Sequence, residues 1–235
     1  MPMRFRILTR KIHKWVGLLL AIQIIFWFLS GFLMSFMPIE EIHGDHILEP
    51  ADSEAVTLQP ENLQTLSAKI STPIKSLQLK RWLDRTIIEL TTPDNVVRFD
   101  ADTLQALPDI DENQVRQVIA LRVLPHYDIK AIHYLSQVPS EARGREAPLW
   151  QVELLGDENP NVYISAQTGD IVAVRTDRWR LFDFVWMLHI MDYDERSDFN
   201  HPLLYITALS ALLFTISGII LLFFSFKPNR KKARS

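Results

Sequence analysis

Two long stretches without a charged residue lie near the ends of this 235-residue chain, over residues 15–37 and 202–226. Both are predominantly apolar, and each exceeds the ~20 residues that an α-helix needs to cross about 30 Å of hydrocarbon. They predict two transmembrane helices in a lipid bilayer. The residues between them are polar enough to form a folded domain outside the membrane.

The charged residues orient the predicted spans. Five Lys and Arg residues precede the first span and five follow the second, with no acidic residue among them. All 28 acidic residues lie from Glu40 to Asp198, where 15 basic residues leave a formal charge of −13. By the positive-inside rule we expect both termini in the cytoplasm and the central domain in the periplasm, which describes an inner-membrane protein.

Composition argues against several functions. An acidic central domain disfavours binding to nucleic acid or to anionic lipid, and it suits cations, basic partners or solubility. The chain has no cysteine, which excludes disulfides, thiolate clusters, covalent CxxCH haem attachment and cysteine nucleophiles. No Ser-His-Asp order and no pair of carboxylates indicates a hydrolase.

The central segment has an α+β pattern that occurs twice, at about 56–107 and 110–176. Each copy reads as a short helix followed by strands, and Val97–Thr103 aligns with Val162–Thr168 at a shift of 65 residues. The pattern predicts a tandem of antiparallel sheets with helices on one face. The chain then divides into a basic tail 1–14, a span 15–37, the tandem domain 38–177, an interfacial aromatic helix with an acidic loop 178–200, a span 201–226 and a basic tail 227–235.

Small residues on both spans favour close packing of helices. His13, Gly17 and Gly31 share one face of the first predicted helix, and Gly218 lies on a comparable face of the second. The spans are therefore expected to pack on each other or on a second copy of the chain. His13 itself stands at the cytoplasmic edge, where it is either a cofactor ligand or an interfacial side chain beside Lys14.

Two further histidines mark the opposite membrane face. His189 lies in the aromatic segment 178–193, and His201 opens the second span at the same depth. One interpretation of His189 is a core histidine bonded to a backbone carbonyl. The other is an axial haem ligand that pairs with His201, because haem requires a neutral imidazole in a dry aromatic pocket.

A third group of candidates follows the first span. His43, Asp45 and His46 lie within one turn, and zinc, copper or iron accepts such ligands. The competing interpretation is a solvated loop next to the membrane.

Three segments together resemble a known family. A PepSY domain closes with a strand of the pattern Y-[IV]-x-x-x-T-G-x-[IV], and residues 149–172 resemble it with LWQVELL and NVYISAQTGDIV. Residues 10–20, RKIHKWVGLLL, are similar to the first helix of the PepSY-associated transmembrane family. Residues 178–193, RWRLFDFVWMLHIMDY, and a span that contains Ser217-Gly218 complete the order seen in that family.

The resemblance implies two kinds of function. PepSY domains are periplasmic or extracellular modules thought to bind or inhibit partners, and four-span relatives include ferric-siderophore reductases with b-type haem between membrane histidines. By this resemblance, His13, His189 and His201 are expected to hold haem b. Since this chain has two spans, a homodimer or a partner membrane subunit is expected to supply the remaining helices.

Two hypotheses therefore stay open. In the first, the chain is a redox component that passes electrons to a periplasmic acceptor such as a ferric chelate. The sequence has no nucleotide-binding or flavin-binding fingerprint, so the expected donor is another protein or a quinol. In the second, the spans are anchors, and the tandem domain is a binding or regulatory module for another envelope protein.

Overall fold

The structure is a computed structural model that describes residues 3–50, 55–56, 62, 65–66, 70 and 72–226. The C-terminal basic tail and nearly all of the helix predicted for the first repeat lie outside these residues. The elements in chain order are α1 (Met3–Ser35), α2 (Ile39–His43), β1 (Ser76–Trp82), β2 (Arg85–Thr91), β3 (Val96–Asp100), β4 (Ala106–Leu107), α3 (Glu112–Arg122), β5 (Asp128–Leu135), β6 (Leu149–Leu155), β7 (Asn161–Ser165), β8 (Ile171–Arg175), α4 (Asp177–Ile190) and α5 (Pro202–Ser225).

The chain forms two units, which confirm the predicted α+β class with an apolar helix at each end. The helical unit comprises Met1–Met37 and Leu181–Ser235, and the sheet unit comprises Pro38–Arg180. Among the described residues, α1 and α5 are long and apolar enough to cross a membrane. Helix α1 begins at Met3, well before the uncharged stretch, because Arg and Lys favour helix about as well as Leu does.

Helices α1 and α5 approach closely where small residues face each other. A Cβ atom added to Gly17 would lie 2.5 Å from Cε2 of Phe214, and one added to Gly218 would lie 3.1 Å from Cε1 of His13. The rings of His13 and Phe214 stack with centroids 4.3 Å apart. Glycine therefore leaves the space that the two rings occupy, as small residues commonly do between membrane helices.

The sheet unit contains two four-stranded antiparallel sheets, ordered β1-β2-β3-β4 and β5-β6-β7-β8. Helix α3 precedes the second sheet and starts with a capping box, in which Asp111 accepts from the Gln114 amide at 2.8 Å and Gln114 accepts from the Asp111 amide at 3.1 Å. These bonds satisfy two amide groups at the helix start that have no partner within the helix.

The two sheets share strand order but not register. Ile88 pairs with Phe99 in the first sheet, whereas Val152 pairs with Val162 in the second. The sequence alignment of the repeats, which also matches Ile88–Leu90 with Val152–Leu154 at a shift of 64 residues, would instead place Ile164 opposite Val152. A slip of two residues keeps each side chain on its own face of the sheet, which is why the hydrophobic pattern does not reveal it.

The repeats share the largest of three hydrophobic clusters among the described residues. This cluster joins Trp82 and Ile87 of the first sheet to Val152 and Val162 of the second and to Val115 of α3. Burial of apolar area is the main favourable contribution to folding. The tandem therefore depends on both copies.

The turn between β7 and β8 docks on the first sheet. Lys80 Nζ binds Asp170 Oδ2 at 2.6 Å and also pairs with Glu89 Oε2 at 2.8 Å. Gly169 has a φ of +75°, and a Cβ atom there would lie 2.5 Å from Nε1 of Trp82. Glycine is required here both for the backbone conformation and for the close approach of the indole.

A polar cluster in the sheet unit holds the start of α4. Glu141 accepts hydrogen bonds from Arg180 Nε at 2.7 Å and from Tyr163 Oη and Asn161 Nδ2 at 3.0 Å each. Burial raises the pKa of Glu141, but these bonds and the charge of Arg180 together lower it below its ordinary value. The carboxylate is therefore ionised at neutral pH and anchors the first turn of the helix.

We predict that Gly169→Ala destabilises the sheet unit by about 2–4 kcal/mol, because the new methyl group adds a clash with Trp82 to the cost of positive φ. Gly144→Ala is the matched control, since Gly144 has a φ of +77° and nothing within 4 Å of an added Cβ. It should cost only about 1–2 kcal/mol. Hydrogen exchange of the full chain in detergent measures the difference in β7 and β8, and equal effects of the two variants would contradict the docking contact.

Candidate functional site

Two histidines of the helical unit are held in the same way. Nδ1 of His13 lies 2.7 Å from Oγ of Ser217, and that hydroxyl donates to the Phe214 carbonyl at 2.7 Å. Gly218, the residue after the serine, lies against the imidazole. His13 is thus bonded to the opposite helix, in addition to its predicted place beside Lys14 at the edge of the span.

The second histidine repeats this arrangement on α1. Nδ1 of His189 lies 2.8 Å from Oγ of Ser30, which donates to the Phe26 carbonyl at 2.5 Å. A Cβ atom added to Gly31 would lie 3.8 Å from Cε1 of His189. Each imidazole therefore faces a Ser-Gly step on another helix of the same unit.

Side chains of α1 donate hydrogen bonds to the backbone carbonyls at the end of α4. Gln23 Nε2 donates to the Leu188 carbonyl at 3.3 Å, and Trp27 Nε1 donates to the His189 carbonyl at 2.8 Å. The last carbonyls of a helix have no partner within it, and apolar surroundings offer no water to replace one. These bonds fix the C-terminal turn of α4, and with it the position of His189, against α1.

His201 serves as a double cap. Its Nε2 lies 2.9 Å from the Ile190 carbonyl at the end of α4, and its Nδ1 accepts from the Leu204 amide at 3.4 Å in the first turn of α5. A carbonyl oxygen only accepts, so Nε2 carries the proton. Both ring nitrogens of His201, which the sequence suggested as a ligand beside His189, thus form hydrogen bonds with the backbone.

The surroundings of His189 keep its imidazole neutral. Burial lowers the pKa of His189, and the ring of Trp186 lies parallel to it with centroids 6.4 Å apart. A neutral imidazole is the form that binds metals. On the same helix, buried Asp183 is paired with Arg196 Nη1 at 2.6 Å, so its charge is compensated.

The imidazoles of His13 and His189 have the donor chemistry that a haem iron accepts. Among the described residues, no group forms a hydrogen bond with Nε2 of either ring. His13 and Ser30 lie 17 positions apart on α1, which corresponds to about 25 Å along a helix. The two histidine sites therefore stand at different levels of the helical unit.

The proposed metal site at His43 and His46 gathers no third ligand within the described part of the chain, where no group of three or more His, Cys, Asp or Glu could hold a metal ion. His46 Nε2 lies 3.7 Å from Glu158 Oε2. Arg178 Nε binds the same carboxylate at 2.6 Å and already compensates its charge.

Sequence analysis missed the residues that hold the histidines. Ser30, Gln23 and Trp27 were not singled out, and Ser217 appeared only as part of a resemblance. One signal was available, because both spans contain a Ser-Gly step, at 30–31 and at 217–218. Its meaning depends on which side chain faces it, and that is a property of the fold.

A family model, the PepSY-associated TM region, matches residues 10–235. The chain belongs to the PepSY-associated transmembrane family. No curated protein and no solved structure matches it. The match confirms the resemblance drawn from the two ends of the chain and the closing strand, and it identifies the chain as a membrane protein whose apolar helices contact the lipid bilayer.

We predict opposite effects for alanine at the two glycines of α1 in this PepSY-associated protein. Gly17→Ala should lower stability by about 1–2 kcal/mol, because the Phe214 ring must leave its stacked position on His13. Gly31→Ala meets only an ordinary contact at 3.8 Å and should raise stability by about 0.5–1 kcal/mol through helix propensity. Thermal unfolding in detergent measures both, and a stabilised Gly17→Ala variant would contradict the close approach of α1 and α5.

Proposed function

We propose that the protein is an inner-membrane electron-transfer component that binds b-type haem at His13 and His189. The observation that carries the proposal is the repeated arrangement of histidine, serine and glycine at two levels of the helical unit. In each of these two arrangements, one ring nitrogen of the histidine has no hydrogen-bond partner among the described residues. Two histidines that pack by chance have no reason to share the same types of neighbour.

The chain's own residues contribute binding and orientation. Nε2 of His13 and of His189 would each bind the iron of one haem, while Phe214 and Trp186 provide apolar surfaces beside the rings. Haem, when bound, supplies one-electron redox chemistry. A second copy of the chain or a partner membrane subunit would supply the further ligands.

The proposed direction of transfer follows from topology. The positive-inside rule supports cytoplasmic termini and a periplasmic sheet unit, so electrons would pass from a cytoplasmic or membrane donor, a protein or a quinol, to a periplasmic acceptor such as a ferric chelate. Two sites about 25 Å apart along α1 suit transfer across a bilayer whose hydrocarbon layer is about 30 Å thick.

A second candidate function is a membrane-anchored binding or regulatory module. One observation favours it: the sheet unit has a groove of about 460 Å³, lined by residues that include Trp82, Leu83, Val118 and Arg122. The lining combines apolar side chains with the charged residues Arg81, Arg122 and Asp170, and small-molecule sites likewise place a few polar groups among apolar ones. On this view the apolar helices only hold the sheet unit at the membrane.

The haem proposal predicts a Soret band that shifts on reduction with dithionite in the purified full-length protein. His13→Gly and His189→Gly should each remove about half of the bound haem, since each deletes one of two sites. Added imidazole should restore it by entering the vacated position. His126→Ala is the control, because His126 is exposed in the sheet unit. Protein that stays colourless after addition of haem would favour the anchored module.

The topology predicts that a reporter active only in the periplasm is silent when fused after Ser235. The same reporter inserted at exposed Gly144 should be active, because that turn has open space around it. Activity at the C-terminus would exclude the proposed orientation and the periplasmic acceptor with it.

A further inference from the structure

We infer that Ser30 and Ser217 are positioning residues, which hold the proton of His189 and of His13 on Nδ1 so that Nε2 is the atom presented to iron. The part of the inference that concerns iron rests on the proposed function. The part that concerns the protons on Nδ1 applies to the protein without haem, and the two parts can be tested separately.

Each serine hydroxyl has a single hydrogen to donate. Ser30 Oγ lies 2.5 Å from the Phe26 carbonyl oxygen, and two oxygens at that distance require a hydrogen between them. The carbonyl has none, so the hydroxyl hydrogen is committed to it. Ser30 Oγ can then only accept from His189, and the 2.8 Å contact requires the proton on Nδ1.

The same reasoning applies independently to the second site. Ser217 Oγ donates to the Phe214 carbonyl at 2.7 Å and lies 2.7 Å from His13 Nδ1. The opposite tautomer would place two lone pairs against each other in apolar surroundings, where nothing else can satisfy them. Both imidazoles therefore keep their lone pair on Nε2.

Hydrogen bonding of this kind also changes the ligand. A histidine that donates its second N–H to an acceptor has a fixed ring orientation and a more basic metal-binding nitrogen. Each serine hydroxyl also donates to a helix carbonyl, and this bond makes the hydroxyl oxygen a stronger acceptor for the imidazole N–H. Serine at these positions thus does more than leave room for close helix packing.

The chain provides matched controls. Ser35 Oγ donates to the Phe32 carbonyl at 2.7 Å, and Thr215 Oγ1 donates to the Ala211 carbonyl at 2.9 Å. Both hydroxyls bond back to their own helix as Ser30 and Ser217 do, and neither forms a hydrogen bond with a histidine in the described structure. Their removal tests the helix bond without the imidazole.

The first experiment determines, in the absence of haem, which ring nitrogen of each histidine carries the proton. Long-range ¹H–¹⁵N spectra of the full chain, with histidines labelled and assigned by single replacements, should show His13 and His189 as Nδ1–H tautomers. Ser30→Ala should shift His189 toward the Nε2–H form, Ser217→Ala should do so for His13, and the Ser35→Ala and Thr215→Val controls should change neither. Wild-type rings found as Nε2–H, or rings unaffected by loss of the serine, would overturn the inference.

The second experiment measures the affinity of the protein for haem. Haem titration should show about tenfold weaker binding in Ser30→Ala, a value typical of the loss of an outer-shell partner. Ser30→Thr, which keeps a hydroxyl, should restore affinity, and Ser35→Ala should match the wild type. Haem bound equally by Ser30→Ala would overturn the positioning role while leaving the haem proposal intact. Failure of every variant to bind haem would instead reject the proposed function, and the tautomer spectra would still decide the assignment of the protons.

Discussion

A polar group that is surrounded by hydrocarbon must find its partner within the protein, and the helical unit is built around this constraint. The last turn of α4 ends against α1, where Gln23 and Trp27 supply donors for carbonyls that water would otherwise satisfy. His201 forms a hydrogen bond with the Ile190 carbonyl and also caps α5. These bonds fix the end of α4 where the imidazole of His189 lies beside Ser30.

The two histidines are satisfied by the same chemistry, although they belong to different helices. In each case a serine that donates to its own helix accepts from Nδ1, and at His13 the following glycine, Gly218, also leaves the space that the imidazole occupies. A histidine whose partner were a backbone carbonyl would also hold its proton on Nδ1. The hydroxyl differs because it can be replaced by mutation, so its role is open to measurement.

The sheet unit follows a different rule, because water surrounds it and apolar burial dominates. Its repeats share a core, and the turn at Gly169 and Asp170 links the second sheet to Trp82 and Lys80 of the first. Neither repeat has its full set of partners alone. This mutual dependence stabilises a domain that has no cysteine and therefore no disulfide.

The sequence by itself determined the two apolar helices, the α+β class, the repeat and the family, because each depends on composition or periodicity within a short window. The tertiary structure alone decided the two-residue difference in sheet register, the role of His201 as a cap, and the serine partners of His13 and His189. Those partners lie 204 and 159 positions away along the chain. Hydrophobic periodicity identifies the buried face of a helix, but it does not encode which distant hydroxyl or carbonyl meets that face, since the pairing is set by how the helices pack.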